Sequence, residues 1–194
     1  PMVGGIQHVP YGDLAAMEAV VGPETAAILV EPLQAEGGLH VPPAGYLAGL
    51  RALCDRTGAL LLFDEVQTGY GRTGRFLASE GAGVVPDACS LAKGIAGGFP
   101  LGAVLVKDRC SGALPPGTHA TTFGGNALAC AAGLAVLDVF DQEKVLENVA
   151  QRGEQLRVRC ERSVAQYAVA VQARGAGLLR GIELSDSVNP AAIM

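Results

Sequence analysis

Charge is scarce in this sequence. Asp, Glu, Lys and Arg make up 17% of its 194 residues, against 49% for hydrophobic residues. Disorder is excluded, because the chain has ample apolar surface to bury and little charge to keep it solvated. Basic clusters are missing too. Fourteen Lys and Arg face 19 Asp and Glu, for a net charge of −5. Nucleic acid is not expected as a partner, since phosphate contacts need clustered cations. Apolar runs are strand-sized, broken by Gly, Pro or Asp, and fall short of the ~20 residues of a spanning helix, so no membrane partner is expected. The opening residues lack the charged and apolar regions of a secretory leader. Without an initiator Met, the start reads as a cut or processed end. Cys-x-x-Cys is absent, and Cys54, Cys89, Cys110, Cys130 and Cys160 are scattered and odd in number. That argues against zinc and points to buried free thiols in a reducing cytoplasm. His8, His40 and His119 are isolated and lack ligand spacing, so they read as hydrogen-bonding residues and no metal is expected.

Aromatic residues make up only 5%, while Gly alone contributes 27 positions. Gly, Ala, Val and Leu dominate, as in α/β proteins whose buried parallel strands alternate with helices. Strands are expected at 26–30, 59–63, 88–91 and 103–106. The apolar spacing of Tyr46, Leu47, Leu50, Leu53 and Cys54 predicts a helix over 43–57, with Pro43 near its start and Gly58 past its end. An Ala-rich helix is expected over 126–140. The charged stretch 141–162 reads as one amphipathic helix, or two separated near Gly153. Two strands, 169–171 and 178–184, are expected around Gly175-Ala176-Gly177. A second domain is expected to begin near Asp141.

Three segments stand out chemically. In Leu62-Phe63-Asp64-Glu65-Val66-Gln67-Thr68-Gly69 an apolar strand delivers a carboxylate at its C-terminal end, the edge of an open α/β sheet where ligands bind. Taken alone, strand-end acids are more often solvated or cap the next turn. In Leu91-Ala92-Lys93-Gly94 a lone Lys follows a strand, and no other charge lies between Asp87 and Lys107. Apolar surroundings would desolvate its ammonium and lower its pKa, as an amine nucleophile requires. The alternative is a surface Lys in a flexible loop. A phosphate loop is excluded, because the glycines follow this Lys instead of preceding it. In Gly117-Thr118-His119-Ala120-Thr121-Thr122-Phe123-Gly124-Gly125-Asn126, hydroxyls and Gly N–H groups precede a helix and could cradle a phosphate. An ordinary Gly-rich turn is the plainer alternative.

An Asp, an isolated Lys and a phosphate-binding Thr are together the protein groups that pyridoxal 5'-phosphate requires. Here the chain resembles the class III (ornithine-type) aminotransferases of fold-type I. The matching runs are Val30 to Gly38, Asp64 to Gly74, Ala92-Lys93-Gly94 with Gly97-Gly98-Phe99-Pro100, Thr121 to Asn126, and Arg174 to Leu178. The resemblance covers nearly the whole chain in order. It implies an α/β fold: part of the large cofactor-binding domain, a mainly parallel sheet with flanking helices, over residues 1–140. Residues 141–194 would be a linking helix and the incomplete start of the small C-terminal α+β domain.

The resemblance also implies roles. Lys93 would attach the cofactor and shuttle a proton, and Asp64 would pair with the pyridine nitrogen. Glu65 would lie among the cofactor contacts, Val66 would pack on the ring, and Gln67 would bond its phenolic oxygen. Thr122 would bind the phosphate and Thr121 the substrate, both across a homodimer interface. Glu36 would serve substrate binding. For Glu31 and Glu36, strand-end capping stands beside that role, and for Val66 plain core packing stands beside the ring contact. Arg72 is expected to form a structural ion pair with a neighbouring loop. The implied partners are an amino donor and a 2-oxo acid, both small molecules, in the cytoplasm. The family's own-subunit phosphate loop, its ring-stacking aromatic and its substrate Arg residues have no counterpart here, so the chain reads as an internal fragment, expected to be inactive alone.

Overall fold

The computed structural model describes residues 4–189. Four strands form one sheet in the order β1 (Ala27–Val30), β2 (Leu60–Asp64), β3 (Ala88–Leu91), β4 (Ala103–Val106). The first three run parallel, with Leu29 opposite Leu62 and Phe63 opposite Cys89, and β4 returns antiparallel. The sheet is therefore mainly parallel, as expected, with one reversed edge.

Helix α2 (Tyr46–Thr57) crosses from β1 to β2. It starts three residues later than the spacing predicts, because Gly45 is left-handed at φ +83° and serves as its N-cap. Gly58, at φ +82°, ends it, and the Gly58 N–H bonds the Cys54 carbonyl. Its buried residues Tyr46, Leu47, Leu50, Leu53 and Cys54 pack against Ile28, Val30, Leu61 and Phe63. Burial of such side chains gives ~1.5–3 kcal/mol each before the entropy of ordering is subtracted. The opposite sheet face is left uncovered by the described residues: Leu29 is 70% and Val104 62% exposed. A short helix that the spacing did not announce, α1 (Leu14–Val20), packs through Leu14 and Met17 on α2's cluster. The Asp13 carboxylate caps it by accepting the Ala16 N–H at 2.9 Å.

Asp87 ties the sheet together. It is 1% exposed at the entry to β3, and its carboxylate accepts from the Leu61 N–H at 2.8 Å, from Arg51 at 2.8 Å and from Arg109 of the short helix α3 (Asp108–Ser111). Burial alone would raise its pKa. The bonds from Arg109, Leu61 and Arg51 outweigh it and hold the carboxyl at about 2. Since the folded value lies below the unfolded one, the stabilisation is complete above the unfolded value near pH 4 and is lost as pH falls toward 2. The shift corresponds to about 2 kcal/mol. Urea unfolding between pH 5 and 2 should show that loss in the native chain. Asp87→Asn should be destabilised by ~3–5 kcal/mol at neutral pH and should have a flatter acid limb. An unchanged acid limb in that variant would contradict the assignment.

After α4 (Ala127–Gln142), residues 145–166 form one helix, α5 (Val145–Gln166), with no break at Gly153. Gly153 instead marks a close approach: a Cβ there would lie 2.8 Å from the Gly177 carbonyl. The last pair, β5 (Ala170–Ala176) and β6 (Leu179–Leu184), forms an antiparallel hairpin. Gly175 and Ala176 lie inside β5, not in a connection between shorter strands, because Gly175 pairs with Arg180 at φ +114° where no Cβ would fit. Asp141, near which a second domain is expected to begin, lies in the last turn of α4.

All five cysteines are free. Four are buried, but Cys130 on α4 is exposed, contrary to expectation, because among the described residues α4 buries only Ala129 and Gly133. Among the described residues no helix is long and apolar enough to cross a membrane.

Candidate active site

Parallel strands deliver their C-terminal ends to one edge, where the loops that follow can meet. β2 ends in Asp64 and β3 places Ser90 directly beside it. The Asp64 Oδ1 atom accepts the Val66 N–H at 3.0 Å and the Ser90 hydroxyl at 3.1 Å. Sequence reasoning passed over Ser90. Its signal was a hydroxyl inside the apolar run 88–91, next to the strand that ends in the acid.

Beyond β3 the chain turns at Lys93, whose φ of +48° is left-handed, uncommon for a residue with a side chain. A 3-10 turn, Lys93–Ala96, follows, and buried Ile95 and Ala96 pin it beneath Leu91. The Lys93 Nζ donates to the Gln67 Oε1 at 2.5 Å. The structure thus brings the amine and the Gln67 amide into direct contact, beside the strand end that carries Asp64. Lys93 is exposed, however, and the apolar enclosure expected around it is not formed. The uncovered sheet face supplies no layer to enclose it.

Glu65 is placed otherwise than its neighbours. It is 1% exposed, and its carboxylate accepts the Thr68 hydroxyl at 2.6 Å, the Ala78 N–H at 3.0 Å and the Ser79 N–H at 2.9 Å. It holds the loop 65–79 from within instead of facing a ligand. Val66 and Gln67, half-buried, sit on the turn it secures, which closes with the Gly69 N–H on the Glu65 carbonyl at 2.9 Å.

The β1 end carries the third loop. The Glu31 carboxylate accepts the Ala35 N–H at 3.1 Å, the capping alternative. Gln34 and His40 close a tight antiparallel bridge, and exposed Glu36 lies on its turn. His40 bonds the Gly37 carbonyl at 2.9 Å and Arg174 of β5 at 3.2 Å, so this turn is tied to the hairpin. Arg72 makes no ion pair among the described residues. Its carbonyl accepts the Leu178 N–H at 2.8 Å, because Gly177, without a Cβ, lets the backbones touch. Thr121 and Thr122 are exposed before α4, and no hydrogen bond among the described residues joins their hydroxyls to Asp64, Gln67 or Lys93. His8 and His119 are also exposed.

A primary amine, an adjacent amide and a carboxylate with one oxygen unspent fit an aldehyde cofactor that carries a basic ring nitrogen. The phosphate end has only the exposed Thr pair to offer from this chain.

The family model described as aminotransferase class-III matches residues 3–194. The chain is 50% identical over 187 residues to the acetylornithine aminotransferase of Streptomyces coelicolor, covering 96% of this chain and 46% of that protein. It is 49% identical to the acetylornithine aminotransferase of Myxococcus xanthus, covering 98% and 48%. Among solved structures it is similar to the ornithine aminotransferase of Toxoplasma gondii, with a TM-score of 0.94 and 39% identity over 98% of this chain and 46% of that one. The acetylornithine aminotransferase of Elizabethkingia anophelis matches with a TM-score of 0.86 and 41% identity over 92% and 48%. The chain spans about half the length of the curated relatives it matches.

Proposed function

Because this chain belongs to the class III aminotransferases, we propose that the full-length protein moves an amino group from N-acetylornithine, or a related terminal amine, to 2-oxoglutarate, with pyridoxal 5'-phosphate as cofactor, in arginine biosynthesis. The contact of the Lys93 Nζ with the Gln67 Oε1, at the strand edge that carries Asp64, is the observation that supports this reading most strongly. When bound, the cofactor supplies an electron sink for the carbanion left at the substrate Cα.

The chain's own residues do the rest. Lys93 would attach the cofactor through its amine and, once the substrate's own amine has displaced it, would move the proton that leaves the substrate Cα. Asp64 holds a proton on the ring nitrogen through the oxygen that Val66 and Ser90 leave unspent. Val66 packs on the ring and Gln67 bonds its phenolic oxygen. Glu65 contributes by fixing the loop that carries them. Glu36 lies on a turn that can face the substrate. In a homodimer Thr122 holds the phosphate, and Thr121 the substrate, of the partner's site. Full-length protein that binds its cofactor as a monomer would contradict this part.

The donor is inferred from Gly117-Thr118-His119 leading into the Thr pair and from the sequence relatives. Ornithine is the second reading, which the Toxoplasma gondii likeness favours; 4-aminobutyrate is a third. The isolated chain is proposed to be a noncatalytic, self-associating piece. Steady-state rates of the full-length enzyme with each donor test the choice. The highest kcat/KM is expected for N-acetylornithine, and a preference for ornithine or 4-aminobutyrate would reassign the substrate.

A further inference from the structure

We infer that Ser90 is a positioning residue for Asp64, setting which carboxylate oxygen faces the cofactor nitrogen. Asp64 is the last residue of β2, at the edge where the strand ends. A carboxylate there would turn about its last bond and offer either oxygen. Two donors prevent this. The Val66 N–H and the Ser90 hydroxyl both reach Oδ1, at 3.0 and 3.1 Å, from different elements of the fold. The first comes from the turn after β2, the second from the neighbouring strand. Ser90 is held in place by the pairing of Asp64 with Ser90 in the parallel ladder. One oxygen is thereby committed and Oδ2 is left for a ligand. A ring N–H bond needs its acceptor in one fixed place, and preorganised acceptors cost no rearrangement when the ligand arrives.

The inference rests on the reading of Asp64 as partner of the ring nitrogen, and its test separates the two. Full-length native enzyme, Ser90→Ala, Ser90→Thr, Ser90→Val and Asp64→Asn are stripped of cofactor and titrated with pyridoxal 5'-phosphate, following visible absorbance. Apo-form melting temperatures are measured in parallel. Thr and Val have the same shape, and only Thr keeps the hydroxyl, so a packing role cannot mimic the result. A hydrogen bond to a charged group is worth enough that its loss should weaken cofactor binding roughly tenfold in the Ala and Val variants. The Thr variant should bind within about threefold of native, and all three apo melting temperatures should stay close to native. Equal affinities in the Thr and Val variants, or native affinity in the Ala variant, would overturn the role of Ser90. Where Asp64→Asn weakens binding and Ser90→Ala does not, only this inference fails. Native affinity in both overturns the reading of Asp64 as well.

Discussion

Lys93→Ala in the full-length enzyme is expected to lose the visible absorbance of the lysine-bound cofactor and nearly all turnover. The amine at Lys93 has two duties in the proposed reaction. It holds the cofactor covalently, and it carries the proton that leaves the substrate Cα. Loss of proton transfer by a positioned side chain alone costs about 10²–10⁴ in rate. Loss of attachment adds to that. Lys107, the nearest other cation along the chain, is engaged elsewhere, its Nζ bonded to the Val85 carbonyl at 3.2 Å and lying 3.8 Å from Asp87. Single-turnover kinetics with saturating cofactor should show no amino transfer. An added primary amine that restores part of the rate would support the proton-carrying role. Turnover within tenfold of native would show that Lys93 is only a loop lysine.

The second large effect is expected at Asp64. Asp64→Asn keeps the shape and the bonds from Val66 and Ser90 but removes the charge that holds a proton on the ring nitrogen. Breaking one side of a buried charge pair costs ~3–5 kcal/mol. Expressed in the transition state, this slows the reaction by about 10²–10³-fold or more. Cofactor should still bind, more weakly, through Lys93. The check is the rate of proton abstraction, read with substrate deuterated at Cα, against kcat/KM. A variant within a few-fold of native would make Asp64 a strand-end cap and nothing more.

The strand-end positions of Asp64 and Lys93 were legible because both interrupt apolar runs, and strand ends are fixed by local pattern. Glu65 was not. Two adjacent acids look alike in sequence, and what separates them is a set of backbone amides at Ala78 and Ser79, which only the folded loop brings near. Gly45 shifted the start of α2 because a left-handed residue breaks helical geometry where spacing alone would continue it. The hairpin strand β5 ran longer than expected because Gly175, a residue usually read as a break, is needed there for a close backbone approach. The Thr pair shows a different limit. Its residues match a family pattern, yet the phosphate role requires surfaces that this chain does not bring to Lys93.

The most direct test of the account is to trap the cofactor on the protein. Full-length enzyme loaded with pyridoxal 5'-phosphate is reduced with borohydride and digested, and the labelled peptide is sequenced. The label is expected on Lys93, in the peptide that contains Leu91-Ala92-Lys93-Gly94. A label on Lys107 or Lys144, or none on a protein that turns over, would contradict it.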